Sequence, residues 1–176
     1  MLPSSQPKYT VALLGALILI LGVGYTVFAK TVPKDSYSSY HAPMSYITNI
    51  VRETQVNENF RRVLFTGTKS QLVVMSIPPG GEIGEETHKY TEQTLFFLSG
   101  TGEATLNNEK FAIGPGDVVV VVPGTKHNFV NTGTDALKVY TVYAPPNHID
   151  GRIHRTKLDA DADTLDEAVG ETAPTK

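Results

Sequence analysis

Hydrophobic patterning divides the chain into four regimes. Residues 11–29, VALLGALILILGVGYTVFA, are apolar or small throughout and carry no charge, with Lys8 before them and Lys30 after. At helical rise such a run reaches about 28 Å, close to the hydrocarbon thickness of a bilayer. A buried core helix would show a polar stripe, and this run has none. The predicted element is a transmembrane helix over residues 1–30, with a cleaved signal peptide as the alternative. Val27-Phe28-Ala29 offers small or modest residues where a signal peptidase reads, but the run exceeds a signal peptide's usual ~7–15 apolar residues, which favours a single-pass anchor. Residues 31–45, rich in Pro, Ser and Tyr without periodicity, read as an extended linker.

From residue 46 to residue 148 the pattern changes. Short apolar runs such as RRVLFTG, QLVVMSIPPGG, QTLFFLSGTG, DVVVVVPG and LKVYTVYAPP are rich in β-branched and aromatic residues and are bounded by Gly, Pro or Asn. Strands at this spacing predict an all-β barrel or sandwich rather than alternating strand–helix units. Asn107-Asn108 between two runs suits a tight hairpin turn. Residues 149–176 form a polar tail, basic in GRIHRTK and acidic in LDADADTLDEAVGE, expected to be solvated apart from a short helix supported by Leu158, Leu165 and Val169.

Composition adds exclusions. Hydrophobic residues make up 40% and charged residues 19% of the 176, so neither a disordered chain nor a polytopic membrane protein fits. A net charge of −3 gives no basic field for nucleic acid. The absence of cysteine excludes disulfides and Cys-ligated metal sites. Lys8 on one side of the apolar run and Lys30 and Lys34 on the other leave the positive-inside balance nearly even. A short N-terminal tail is readily left inside, so the barrel is expected on the extracytoplasmic side; secretion after cleavage and the cytoplasmic face are the alternatives.

Two segments carry the chemistry: residues 80–100, GGEIGEETHKYTEQTLFFLSG, and residues 116–131, GDVVVVVPGTKHNFVN. Glu86 and His88 stand two apart, so on a strand they share a face. Gln93 follows, and His127 comes from a distant strand after a Gly-containing turn. A carboxylate, two imidazoles and an amide oxygen converging in a barrel would make a four-ligand site for a divalent metal ion (Fe, Mn, Co, Ni or Zn), with positions open for water or substrate. Glu92 and Gln93 point oppositely on a strand, so only one of them faces inward. His148 and His154 flank Asp150-Gly151 and read as a surface turn, with a lid or a second ligand cluster as the alternative. His41, in the linker, has no specific role assigned. Arg61 and Arg62 are adjacent, so at most one faces inward, where it could clamp a carboxylate; a solvated edge position is the expectation.

The two segments resemble the paired motifs of the cupin superfamily. Gly80, Glu86, His88, Gln93 and Gly100 fit the spacing of its first motif, and Gly116, Gly124, His127 and Asn131 that of its second. Glu86 stands where the first His is usual, Gln93 where the Glu is usual, and Val122 where a Pro is usual, with Pro123 one place later. The resemblance covers roughly residues 60–145. It implies a double-stranded β-helix, or jelly-roll barrel, and a metal held by Glu86, His88, Gln93 and His127. Phe96, Leu98, Val118, Val120 and Val122 are apolar on strands whose other face is also apolar, which implies a second packing layer; in small cupins that layer is often a partner subunit, so a homodimer is expected. The implied functions are a metal-dependent enzyme on a small organic ligand, such as a dioxygenase, decarboxylase or sugar or sugar-acid isomerase, or a non-catalytic module that binds or senses a small molecule or metal at a membrane surface. Tyr90 and Glu92 are the nearby candidates for a general base.

Overall fold

The computed structural model describes residues 45–170. Helix α1 (Ile50–Val56) opens them, capped by the Asn49 side chain, which accepts from the Arg52 amide at 3.1 Å. Ten strands follow: β1 (Arg61–Thr66), β2 (Gln71–Ile77), β3 (Glu86–Thr87), β4 (Glu92–Ser99), β5 (Gly102–Leu106), β6 (Glu109–Ile113), β7 (Val118–Val121), β8 (Lys126–Asn131), β9 (Leu137–Ala144) and β10 (Ile153–His154). Two short helices, α2 (Lys157–Asp161) and α3 (Thr164–Gly170), complete the described chain.

The strands form two antiparallel sheets, one ordered β10-β1-β2-β9-β4-β7 and the other β3-β8-β5-β6. Period-two alternation drives their pairing. Every second residue of β9 (Leu137, Val139, Thr141, Tyr143) is buried, as are Gln93, Leu95 and Phe97 of β4 and His127, Phe129 and Asn131 of β8. The inward residues merge into a single core in which Phe97 and Phe129 meet across the sheets with ring centroids 5.6 Å apart. The β5–β6 hairpin turns on Asn107 and Asn108, both at positive φ (49° and 72°), the conformation that a two-residue turn needs and that Asn tolerates. Gly102 lets β5 lie close to β8, since a Cβ there would stand 2.6 Å from the Val130 carbonyl oxygen.

Several expectations change. The C-terminal segment is not simply solvated. β10 extends the larger sheet by pairing with β1, and α2 begins in a capping box formed by Thr156 and Asp159. His148 and His154 are buried at 7% and 3% exposure rather than lying on a surface turn, and Arg61 faces inward at 8%. Polar partners account for the burial. Gln71 takes the Asn147 and His148 amides on its Oε1 and donates to the His148 carbonyl, while Asp163 pairs with His154 at 3.0 Å and with Arg152 at 2.9 Å. Val118, Val120 and Val122 remain about half exposed along the edge strand β7 and the residue after it. The apolar run 11–29 and His41 lie outside the described residues; among the described residues no helix is long and apolar enough to cross a membrane.

Candidate metal centre

β3 pairs with β8 so that Glu86 stands opposite His127. His88 follows two residues after Glu86, and the Gly124 amide donates to its carbonyl at 2.8 Å, which ties the β7–β8 turn to the same spot. Gly124 adopts φ +83°, and the chain there turns back into β8 in time to bring His127 inward. His88 Nε2 lies 3.5 Å, and His127 Nε2 3.9 Å, from Glu86 Oε2. One ligand atom from each of Glu86, His88 and His127 falls within 4.8 Å of the others, so the three form a group that could hold a metal ion.

Gln93 comes from the opposite sheet. It is 1% exposed and stands between Tyr143 of β9 and Val121 of β7. Its amide nitrogen donates to the Tyr143 hydroxyl at 2.9 Å, and the Tyr143 ring lies edge-on to His88 at 5.8 Å. Gln93 and His88 thus share one neighbour. Glu92, the alternative at this register, is exposed on the outer face, and Lys89 Nζ lies over the ring of Tyr90, 5.1 Å from its centroid. Neither Glu92 nor Tyr90 is among the residues of the candidate metal group.

The hydrogen bonding of this set suits a cation. His127 Nδ1–H donates to the Thr125 carbonyl at 2.9 Å, which assigns the lone pair to Nε2. His88 Nε2, His127 Nε2 and Gln93 Oε1 are buried and have no hydrogen-bond partner. Buried polar atoms are normally satisfied, so two orphaned acceptors and an unpartnered imidazole nitrogen at one place fit an ion that takes lone pairs. Burial raises the Glu86 pKa, but the His88 imidazole, with Nε2 3.5 Å away, and the charges of Arg61, His88 and His127 outweigh it and hold the carboxyl below its usual range. Burial lowers the His127 pKa against the opposing pull of Thr125 and Glu86. Both groups are therefore in their ligating forms near neutrality.

A second polar group adjoins the first. Arg61 Nη2 lies 3.8 Å from Glu86 Oε1, and Arg61 Nη1 lies 3.4 Å from Asp166 Oδ2 on α3. Asp166 accepts from His148 Nδ1 at 2.8 Å and from the Ile149 amide at 2.8 Å. Burial would raise the Asp166 pKa, but His148, the Ile149 amide and Arg61 bring it down to about 2. A cavity of about 500 Å³ opens here, with Glu86, His88, Arg61 and His148 in its wall and α2 and α3 along one side. From the sequence, His148 reads as part of a surface turn and Arg61 as a solvated edge residue, and Asp166 has no role assigned. A signal for Arg61 exists: Val63, two residues on, is a core residue, so Arg61 shares its face.

Acid should weaken this arrangement. His127 and His148 are both held below the 6.5 of an ordinary histidine, burial being the larger cause in each. Below that value the unfolded chain takes up protons that the folded chain refuses, so stability rises with pH through this window and is complete above it. Asp166, depressed from 3.8 to about 2, adds a further loss as the pH falls from about 4 to about 2. Circular dichroism melts of the metal-free protein should show the melting temperature falling from about pH 7 to about pH 5. His148→Gln should make that fall shallower; an unchanged slope would show that His148 does not contribute.

Comparison with known proteins agrees with this architecture. The family model described as "Cupin domain" matches residues 73–143. The uncharacterized protein YrkC of Bacillus subtilis is 40% identical over 126 residues, which cover 68% of each chain. The crystal structure of BH2720 from Bacillus halodurans is 37% identical and superposes with a TM-score of 0.67, covering 69% of this chain and 97% of that one. A Klebsiella pneumoniae protein with a double-stranded β-helix domain is 26% identical at a TM-score of 0.51, covering 64% of this chain and 99% of that one.

Proposed function

The chain belongs to the cupin family, and from that premise we propose that it is a membrane-tethered single-domain cupin that holds a divalent metal ion through Glu86, His88, Gln93 and His127 and acts on a small organic ligand in the adjoining cavity. The observation that carries this reading is the set of buried, unpartnered side-chain atoms of His88, His127 and Gln93 beside the Glu86 carboxylate. When bound, the ion supplies Lewis acidity or, if redox-active, oxygen activation. The protein's own residues supply the rest. Thr125 fixes the His127 tautomer, Tyr143 turns the Gln93 amide so that its oxygen is left open, and Arg61 offsets the charge of Glu86. Dioxygenation or isomerisation of a sugar or sugar acid is the reaction class proposed for this site.

The tether rests on the apolar run 11–29, and its length supports an uncleaved anchor with the barrel on the extracytoplasmic side. The half-exposed row Val118, Val120 and Val122 supports a homodimer. The metal reading is tested by elemental analysis of the purified full chain after expression with Fe, Mn, Co, Ni or Zn. About one metal ion per chain is expected for at least one of them, with loss in Glu86→Ala. A chain free of metal under every condition, or metal retained by the variant, overturns the reading.

A further inference from the structure

Resting on the metal site proposed above, we infer that Arg61 and Asp166 are positioning residues that couple cation binding at Glu86 to closure of the C-terminal helices over the barrel mouth.

A single guanidinium serves two carboxylates here. Arg61, on β1, reaches Glu86 at 3.8 Å with one terminal nitrogen and Asp166 at 3.4 Å with the other. One carboxylate belongs to the candidate metal group and the other to α3. Arg61 and Asp166 are 8% and 2% exposed, so neither can exchange its partner for bulk water without a large cost. Asp166 is also the point where α3 grips the barrel, through the His148 imidazole and the Ile149 amide. The grip borders the cavity directly. Glu86 and His88 line one part of its wall, while Lys157, Asp161 and Glu167 of the helices line another.

The coupling follows from charge. A cation on Glu86 engages the negative charge that Arg61 otherwise faces, and it repels the guanidinium. Asp166 then becomes the principal countercharge of Arg61, so the bond that fastens α3 strengthens as the metal binds. The reverse holds as well. With Asp166 absent, Arg61 presents an uncompensated positive charge to the site and competes with the cation for Glu86. Both effects weaken metal binding. Linkage requires that if closure favours the metal, the metal favours closure by the same factor. The ligand in the cavity would then be enclosed only over a loaded metal site.

Two readouts on the full chain test this, with Co(II) as the probe: cobalt affinity from its visible absorption, and hydrogen exchange of residues 157–170 with and without the ion. In the wild type, Co(II) should slow exchange in residues 157–170 about tenfold while leaving β2 and β9 unchanged. Asp166→Asn should bind Co(II) 10- to 100-fold more weakly, the range typical for loss of a group that supports a metal ligand, and should lose the cobalt-dependent protection. Asp166→Glu, which keeps the charge, should recover part of both. Asp163→Asn is the structural control: it loosens the same segment through His154 and Arg152 without touching Arg61. It should raise exchange in the helices yet keep near-wild-type cobalt affinity. Wild-type affinity in Asp166→Asn, equal loss in both Asn variants, or cobalt binding without added protection in residues 157–170 overturns the coupling while leaving the metal site standing. A wild type that binds no Co(II) removes both.

Discussion

His88→Ala is expected to lower divalent-cation affinity by at least ~100-fold, beyond the upper end of what loss of a ligand's supporting contact costs, because it removes a proposed ligand itself. Its barrel should stay folded. The His88 side chain is 12% exposed and sits beyond the end of β3, so its removal leaves the core cluster intact. His127→Ala should lose as much affinity but at a stability cost, since its side chain is fully buried and packs edge-on against Phe129 at 5.9 Å. Calorimetric titration of the metal-free protein, with thermal melts run alongside, separates the two. Full affinity in His88→Ala would mean that the trio is only a polar cluster in the barrel mouth.

Phe129→Ala should produce the largest loss of stability, about 3–5 kcal/mol. Phe129 is 0% exposed, faces Ala104 across the smaller sheet and meets Phe97 of the larger one, so it joins the two sheets at their centre. Its carbonyl also accepts from the Ile83 amide at 2.9 Å, on the segment that leads into Glu86. The cavity left behind would border His127. For a domain of this size the melting temperature should drop by on the order of 10–20 °C in scanning calorimetry, and metal affinity should fall as well because His127 loses its packing. A drop below a few degrees would mean that the core closes around the gap.

What the sequence disclosed, and what it withheld, follows from the range of the interactions. Strand alternation and the Asn107-Asn108 turn are local, and the structure places them as the pattern predicts; Glu86 and His88 converge too, although β3 ends at Thr87 and His88 lies beyond it. Register alone says that one of Glu92 and Gln93 faces inward; it is Gln93, the residue that the motif spacing to Gly100 favours, while Glu92 is exposed. The contacts of Asp166 with Arg61 and His148 were not legible. Arg61 and Asp166 are 105 residues apart, and an acidic tail has the same composition whether it is solvated or folded onto a barrel. His148 is turned inward by Gln71, a polar residue at a core position of β2 whose role appears only once its partners, the backbone groups of Asn147 and His148, are in place.

In the proposed site one cation is held between the two sheets, with Glu86, His88 and His127 on one side and Gln93 on the other. Crystals of the full chain grown with Co(II) and measured at the cobalt absorption edge test it directly. One strong anomalous peak is expected at about 2.0–2.2 Å from Nε2 of His88, Nε2 of His127, a Glu86 carboxylate oxygen and Gln93 Oε1, the range of nitrogen and oxygen ligands to such ions. An anomalous map with no peak there, or with cobalt only at exposed surface carboxylates, would contradict it.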